Sequence, residues 1–445
     1  MKTLFYKIVL LLLTLLTPYL SEAQATYLTL QDAKELALAN NRSLSVQKLE
    51  EKRSQEVTNE WRGKLLPSVQ LNGTVSHYFD RQVIFLPGSF AGTSNPVQDV
   101  SVGGLNALNA GVTLHQPLLA KPIKRQKEVA RLDEKIQKEY TREMKSQLMY
   151  QVTQEYYGIQ LLKNQLELQH ISLTRNQKAL ADSKSLLMAG RALKMDTLRS
   201  YIAVENLKST IAYLNTTLEV ANHRFKKLLG MDSATLELSD ALVLEGESEK
   251  FSVLEQKATE ALQHRNDILR QGFVVEREER QLSAVKGNFL PQVSLIGQYQ
   301  LQAQADDLNM ARYPFPKTGY LGLQVALPVF NGGIFNAKAR QSKIKIEQEK
   351  LKLDDMKEEA GLELHTIAGN WKNAKAQLEI QKKTVEAATL NFSINSNRYL
   401  HDLGSMLEVN DAEVALHTAQ LNYLMAVYEL KVLTVAFEKA LGSLE

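Results

Sequence analysis

Apolar residues recur along the chain with two different periods, and the change of period separates predicted helices from predicted strands. Residues 28–62 have helical spacing and consist mostly of good helix formers. Gly63 ends this predicted helix, and Pro67 prevents its continuation because proline has no N–H for the helical hydrogen bond. From Ser68 onward the period is two, which is typical of a strand with one apolar and one polar face.

Four segments show this two-residue alternation, two in each half of the chain. We predict strands at residues 66–79, 105–117, 290–302 and 318–330. Each holds about ten alternating residues, and the polar faces carry amides and hydroxyls with almost no charge. This is the length and pattern of strands in a transmembrane β-barrel with a water-filled lumen. An ordinary half-buried antiparallel sheet is the alternative interpretation.

Long stretches of helix-forming residues make up most of the remainder. Residues 121–189 and 334–403 each predict one nearly continuous helix, on the order of 100 Å long at 1.5 Å per residue. In the first of them, the apolar positions from Val129 to Tyr156 are spaced mainly by four residues. Because this spacing is not a heptad pattern, we expect each long helix to contact more than one neighbour instead of forming a simple dimeric coiled coil.

The sequence is internally duplicated. Residues 30–75 align with residues 254–299 at an offset of 224, and residues 196–230 align with residues 408–442 at an offset of 212. Each half is therefore predicted to contain a helix, two strands, a long helix and a further helix, in that order. We predict a signal peptide at 1–23, a first repeat at 24–230, a linker at 231–253 and a second repeat at 254–445.

The N-terminus has the features of an export signal. Lys2 and Lys7 precede an apolar run from Ile8 to Leu16, and small residues up to Ala23 suit a signal-peptidase site. A transmembrane anchor is the alternative, but the run is much shorter than the roughly 20 residues that span a bilayer as a helix. We therefore expect an exported mature protein in which any membrane crossing uses strands.

Composition argues against several other classes of protein. The chain has 445 residues, a formal net charge of +3 and no cysteine, which excludes thiolate metal sites, thiol nucleophiles and acylation of an N-terminal cysteine. The charge is too small and too evenly spread for nucleic-acid binding. The eight histidines are scattered, and no catalytic or phosphate-binding motif occurs. We expect neither enzymatic activity nor a cofactor or resident metal ion.

Four strands cannot close a barrel by themselves, and open strand edges are not tolerated in hydrocarbon. Association of two copies would give eight strands around an interior filled by side chains, whereas three copies would give twelve strands and a lumen. The long helices would then continue the tube on the periplasmic side. The connections at 80–104 and 303–317 would lie outside the cell, as solvated hairpin loops or with Phe85 and Phe90 folded over the pore.

The sequence combines two helix–strand–strand–helix–helix repeats, Leu-Pro strand entries at Leu66 and Leu290, and paired Gly-x-x-Leu turns. In this combination it resembles the outer-membrane efflux proteins of the TolC family, over essentially the whole mature chain. The resemblance implies a mixed, mainly helical fold in a homotrimer, with one twelve-stranded transmembrane β-barrel and an α-helical periplasmic barrel. The implied partners are a periplasmic adaptor protein, an inner-membrane transporter and outer-membrane lipid. The implied function is passive conduction of substrates in efflux or type I secretion.

The turns between the long helices are the candidate functional sites. In the first turn, Gly190 suits a left-handed helix C-cap and Asp196 suits a helix N-cap. In the second turn, Glu408 and Asp411 are three residues apart on one helix face, so a trimer would stack two rings of carboxylates. The resemblance implies that these acids and Asp196 line the periplasmic constriction. It also implies that an adaptor docks on the residues of both turns: Gly190, Ala192, Leu193, Gly404, Met406 and Leu407.

Two residues of the second turn depart from the family archetype. Met406 occupies the place of an arginine, and His401 occupies the place of a tyrosine, so the interactions that hold the closed state are expected to differ. Simple helix capping is the alternative role for the acids of both turns. For the whole protein, the alternatives are an exported helical scaffold or a periplasmic adaptor without a pore.

Overall fold

The computed structural model describes residues 26–90, 92–231, 236–238, 247–256, 262–307, 309, 312–401 and 403–444. The predicted signal peptide and much of the predicted linker lie outside these residues. Within them the chain forms eight α-helices and eight β-strands. The helices are α1 Leu30–Asn40, α2 Arg42–Gly63, α3 Lys121–Met188, α4 Lys194–Leu229, α5 Glu247–Gln256, α6 Asn266–Gly287, α7 Ile334–Leu400 and α8 Met406–Ala440. The strands are β1 Thr26–Leu28, β2 Ser68–His77, β3 Gln82–Pro87, β4 Val97–Val102, β5 Asn106–Leu119, β6 Leu236–Leu238, β7 Gln292–Ala305 and β8 Lys317–Ala326.

Four of the strands form one antiparallel sheet in the order β2-β5-β7-β8. The end residues of β2, Ser68 and His77, pair with His115 and Asn106 of β5. Strand β5 in turn pairs with β7 over almost its whole length, so the two halves of the chain share one sheet. All four predicted strands are confirmed, and β2 and β8 are the edges of this sheet within the described chain.

Proline explains two of the differences between predicted and observed strand ends. The predicted end of β5 at Pro117 is wrong, because the strand continues to Leu119 with a register shift between these two residues. The shift accommodates a residue that cannot donate a hydrogen bond to the neighbouring strand. β8 ends at Ala326, two residues before Pro328, and β7 extends to Ala305, three residues beyond its predicted end.

The apolar face of this sheet is exposed in the protomer. On the two edge strands the exposed fraction is 81% for Leu71, 73% for Val75, 69% for Leu321 and 66% for Leu323. A half-buried sheet of an ordinary globular domain would cover such a face with a core. The exposure therefore contradicts the half-buried sheet as an interpretation of the alternating strands.

The connection at 80–104 is not the simple loop of the prediction. It contains β3 and β4, which pair with each other as a separate antiparallel ribbon. An ion pair of 2.7 Å joins Arg81, before this ribbon, to Asp306, just after β7. The side chains of Phe85 and Phe90 are exposed by 73% and 83%, so neither is packed within the protomer.

The predicted single helix at 28–62 is two helices, with a break at Asn41. The Asn41 side chain accepts a hydrogen bond from the Leu44 N–H at 3.0 Å and donates one to the Leu228 carbonyl at 2.9 Å. Its backbone is extended, with φ −61° and ψ 122°. A buried amide that caps α2 and satisfies the end of α4 thus interrupts a segment whose spacing is otherwise helical.

The two predicted long helices are confirmed as α3, with 68 residues, and α7, with 67 residues. Each is followed by a helix of about half that length, α4 with 36 residues and α8 with 35. None of the described helices combines the length and apolar character needed to cross a membrane. The boundaries of the two sequence repeats stay a prediction.

The chain divides into two compact units, and each takes residues from both halves of the sequence. The first unit is Met1–Lys48, Thr141–Asn266 and Met356–Glu445, and the second is Leu49–Tyr140 and Asp267–Asp355. In the first unit Trp371 stacks on Phe251 with ring centroids 3.9 Å apart and donates a hydrogen bond to Thr434 Oγ1 at 3.0 Å. Tyr156 and Phe225 are fully buried in another core cluster of this unit. The second unit holds the four-stranded sheet and the helical segments that adjoin it.

Candidate functional site

The turn between α3 and α4 closes with the hydrogen bonds of a Schellman motif. The Arg191 N–H donates to the Leu186 carbonyl at 2.8 Å, and the Gly190 N–H donates to the Leu187 carbonyl at 3.0 Å. Gly190 has a φ of 71°, a left-handed conformation that a residue without Cβ adopts without strain. The predicted role of Gly190 as a helix C-cap is confirmed.

Asp196 lies one turn inside α4, not at its N-cap. The N-cap residue is Leu193, and the Asp196 carboxylate accepts a hydrogen bond from the Leu193 N–H at 3.2 Å. The prediction of Asp196 as the N-cap is therefore wrong by three positions. Leu193 has no side-chain acceptor with which to cap the helix. The Asp196 carboxylate instead accepts a hydrogen bond from the Leu193 N–H, at the positive end of the helix dipole.

Arg398 closes the second turn, at the end of α7. The Leu403 N–H donates to the Arg398 carbonyl at 2.8 Å, and the Arg398 guanidinium donates to the Leu403 carbonyl at 3.0 Å. Gly404 follows this closure and does not have a left-handed φ. The first glycines of the two Gly-x-x-Leu turns, Gly190 and Gly404, therefore differ in backbone conformation.

Glu408 belongs to a capping box at the start of α8. The Ser405 N–H donates to Glu408 Oε2 at 3.0 Å, and the Glu408 N–H donates to Ser405 Oγ at 3.3 Å. Glu408 and Asp411 are both exposed, one helical turn apart. Asp196 and Glu408 thus hold the same third helical position, 212 residues apart. The described residues contain no group of three histidine or acidic side chains arranged to hold a metal ion.

Apolar side chains at both turns divide into an exposed and a buried set. Leu193 is exposed by 70% and Leu407 by 45%, whereas Met406 is exposed by only 1%. Met406, which the prediction assigns to a docking surface, is buried in the protomer, so its side chain adds no exposed area there. Further exposed apolar side chains near the turns were not predicted: Met188, Met195, Leu198 and Leu403.

A buried ion pair joins α3 to α8, and sequence reasoning did not find it. The Arg175 guanidinium donates to both oxygens of Glu413, with distances between 2.8 and 3.1 Å. Ser172 Oγ donates to the same carboxylate at 2.7 Å. Glu413 is exposed by 6%, and the ring of Phe392 from α7 lies 5.6 Å from the Arg175 guanidinium. The partners are 238 residues apart in the chain, so no local pattern connects them.

His417 lies one turn after this ion pair on the same helix. Its Nε2 is 2.8 Å from Gln169 Nε2, and its Nδ1 is buried without a hydrogen-bond partner. Burial lowers the pKa of His417 below its ordinary value, and the positive charge of Arg175 lowers it further, against the opposing charge of Glu413. The spacing of four between Glu413 and His417 is the one sequence signal that could have pointed to this cluster.

The described chain thus combines two helical hairpins with capped turns and one open antiparallel sheet, and this combination can be compared with known proteins. Residues 258–443 match the family model described as outer membrane efflux protein. The structure of CusC, described in terms of transmembrane channel formation, is similar to this chain with a TM-score of 0.76 and 18% identity, over 96% of this chain and 95% of CusC. The fold is that of CusC, and the predicted resemblance to the outer-membrane efflux family is confirmed.

Two relatives illustrate the range of this likeness. The probable outer membrane lipoprotein SilC of Salmonella typhimurium is 22% identical over 295 residues, which are 66% of this chain and 63% of SilC. The proteases secretion protein PrtF of Dickeya chrysanthemi is 24% identical over 376 residues, which are 83% of this chain and 78% of PrtF. The chain thus spans less than two thirds of the length of SilC.

Proposed function

We propose that this chain is the outer-membrane channel of a tripartite efflux or type I secretion system. Three copies form one twelve-stranded β-barrel, and its lumen continues into a periplasmic tunnel of helices. Substrates pass passively from an inner-membrane transporter, by way of a periplasmic adaptor and this channel, to the exterior. The observation that carries the proposal is the exposed apolar face of the four-stranded sheet.

An exposed apolar face and two unpaired edges are unfavourable in water, and a closed barrel in a bilayer removes both costs. Side chains such as Leu71 and Leu323 then contact lipid, while the opposite face, which includes Asn72 and Gln324, lines the lumen. The edges β2 and β8 pair between copies. If the protein were a helical scaffold or an adaptor without a pore, nothing would cover this apolar face.

The proposal that the apolar face of the sheet contacts lipid can be tested by substituting neighbouring residues that point to opposite faces. We expect Leu71→Arg combined with Leu323→Arg to abolish the trimer and its conductance, because a charge on the lipid face costs about 2–4 kcal/mol near the bilayer midplane. The matched control, Asn72→Arg with Gln324→Arg, is expected to assemble and to conduct with altered ion selectivity. Trimer is measured by native electrophoresis in detergent, and conductance in planar bilayers.

Two results would contradict this proposal. One is equal assembly and conductance of both double variants, which would mean that the apolar face does not contact lipid. The other is a wild-type protein that stays monomeric and soluble without detergent.

The two turns are proposed to form the periplasmic entrance of the channel. Glu408 and Asp411 are exposed on one helix face, so three copies place two rings of carboxylates around the axis. Asp196, at the equivalent position of the first turn, is proposed to add to the negative charge of the entrance. Such rings attract cations and repel anions. Glu408 can serve both roles, because its capping bonds leave the carboxylate exposed to solvent. The capping role therefore does not exclude the electrostatic one.

The helix-capping role of Glu408 and the electrostatic role of the carboxylate rings can be separated by the choice of substitution. Glu408→Gln with Asp411→Asn removes the charges and keeps a side chain that can still cap α8. Ser405→Ala breaks the capping box and keeps the charges. We expect only the first variant to lose cation selectivity, measured as the reversal potential in a salt gradient. A loss of selectivity in Ser405→Ala alone would mean that the acids act only through the helix cap.

The adaptor is proposed to dock on the exposed parts of both turns. Leu193 and Leu407 supply apolar contact area, and Gly190, Ala192 and Gly404 allow close approach of a partner helix. This surface differs from the prediction by the loss of Met406.

Localisation and cargo follow from the same proposal. The helical part lies in the periplasm and the sheet in the outer membrane. The chain is held there by strands and not by an acylated cysteine, since the sequence contains none. PrtF is named for the secretion of proteases, so polypeptides and small solutes both remain candidate cargo. The channel itself is proposed to have no enzymatic activity.

A further inference from the structure

A cavity of about 760 Å³ lies in the second compact unit, where the four-stranded sheet meets its helices. The end of β5, the first turns of α3 and the C-terminal end of α6 line it. We name it the basic cavity, because six basic side chains and one carboxylate, that of Glu128, line it. The six are Lys121, Lys124, Arg125, Lys127, Arg131 and Lys286.

Close helix packing fixes the wall of the basic cavity. Gly287, the last residue of α6, is buried, and a Cβ added to it would lie 3.2 Å from the Pro122 nitrogen at the start of α3. The two helix ends are therefore in contact. Because of this contact, Lys286 is held beside the lysines and arginines of α3.

Most of this positive charge is not neutralised by the protein. Glu128 pairs with Arg125 at 2.8 Å and also lies 3.7 Å from Arg280, outside the cavity. The other five basic side chains of the cavity have no ion-pair partner in the described part of the chain. Lys127 and Arg131 are one helical turn apart, a spacing at which like charges repel. An anion bound in the cavity would relieve this repulsion.

Apolar side chains lie directly beside the charges. Leu118 is exposed by 57%, Leu119 by 41% and Leu290 by 37%, and Leu118 and Leu119 end the strand from which α3 follows after one residue, Ala120. An inorganic anion would leave these leucines uncovered. A phosphate that carries acyl chains satisfies both the charged wall and the apolar rim.

We propose that the basic cavity binds the phosphate of an anionic phospholipid, with its acyl chains on Leu118, Leu119 and Leu290. This inference rests on the proposed function, in which this end of the sheet meets the periplasmic leaflet of the outer membrane. The lipid then helps to fix the depth of the barrel in the bilayer, because its headgroup contacts the helices and its acyl chains contact the strands.

The test uses the full-length protein in nonionic detergent, with native mass spectrometry of bound dioleoylphosphatidylglycerol or dioleoylphosphatidylcholine. We expect the wild type to retain the anionic lipid preferentially. Lys124→Gln with Arg131→Gln and Lys286→Gln should weaken its binding by roughly a hundredfold, at about fivefold for each charge removed near a membrane surface. The matched control is Lys178→Gln with Lys184→Gln and Lys382→Gln, three exposed lysines of the first unit, and should bind as the wild type does.

Three results would overturn the proposal: equal retention of both lipids by the wild type, equal losses in the two triple variants, or binding of glycerophosphoglycerol, the headgroup without chains, as tight as that of the lipid. The last result would make the cavity a site for a free phosphate compound. Conductance in bilayers of pure phosphatidylcholine separates this inference from the proposed function. A wild type that conducts there but shows no lipid preference contradicts only the lipid site, whereas a wild type that never inserts contradicts the channel.

Discussion

Replacing Glu413 by Gln removes the negative charge from the ion pair that Glu413 forms with Arg175 between α3 and α8. The carboxylate is exposed by 6% and accepts hydrogen bonds from Arg175 and from Ser172. Glu413→Gln keeps the shape of the side chain but leaves the Arg175 guanidinium without a counter-charge. We therefore expect α8 to separate from α3 more easily, without loss of the helices themselves.

The magnitude follows from the burial of the two partners. Breaking a fully buried pair costs about 3–5 kcal/mol, because the remaining charge is left without compensation. The Arg175 side chain is 24% exposed and can recover part of its hydration, so we expect a cost of about 2 kcal/mol for Glu413→Gln. Arg175→Gln should cost more, because Glu413 is the more buried partner and would keep only Ser172.

Hydrogen exchange measured by mass spectrometry on the purified protein in detergent is a suitable assay, because it reports local opening of single helices. A cost of about 2 kcal/mol corresponds to about thirtyfold faster exchange in peptides from the first half of α8. The control is Glu205→Gln, which breaks the exposed pair with Lys208 at 2.8 Å and should change exchange by about twofold or less.

Two outcomes would refute this reasoning. One is an exchange rate in α8 that changes no more in Glu413→Gln than in the Glu205→Gln control. The other is a double variant, Arg175→Gln with Glu413→Gln, whose cost equals the sum of the two single costs, since a real pair must show coupling.

Three further predictions concern backbone geometry and pH. Gly230→Ala should destabilise the protein by about 1–3 kcal/mol in thermal unfolding, because φ is 71° and the new Cβ would lie 2.4 Å from the Asn40 carbonyl oxygen. Hydrogen bonding by Lys345 holds the pKa of Glu349 at about 2, below its ordinary value of 4.5, so its stabilisation is complete above pH 4.5 and is lost as the pH falls toward 2. Thermal unfolding should therefore depend less on pH in this window in Glu349→Gln. The pKa of His417 is lowered from 6.5, so the wild type should lose stability as the pH falls below 6.5, and His417→Gln should flatten that loss.

Periodicity in the sequence depends on residues that are close together in the chain. It was therefore sufficient to predict the strands, the long helices and the turns between helices. The alternation around Leu71 and Leu323 was sufficient for the four strands and their two chemically different faces. The long runs of helix formers fixed α3 and α7 to within three residues at their ends. The alignment at an offset of 212 made the two helix turns equivalent, and the structure places Asp196 and Glu408 in the same position of their helices.

The tertiary structure alone decided the features that depend on partners far away in the chain. Asn41 breaks a helical segment because its amide reaches the Leu228 carbonyl, 187 residues away. Arg175 and Glu413 meet across 238 residues, and the basic cavity exists because Gly287 contacts the start of α3. Burial of Met406 likewise depends on what surrounds the second turn. A sequence pattern shows which side chains share one face of a helix or strand. It does not show which remote residues that face contacts, because the packing of helices that are distant in the chain determines those contacts.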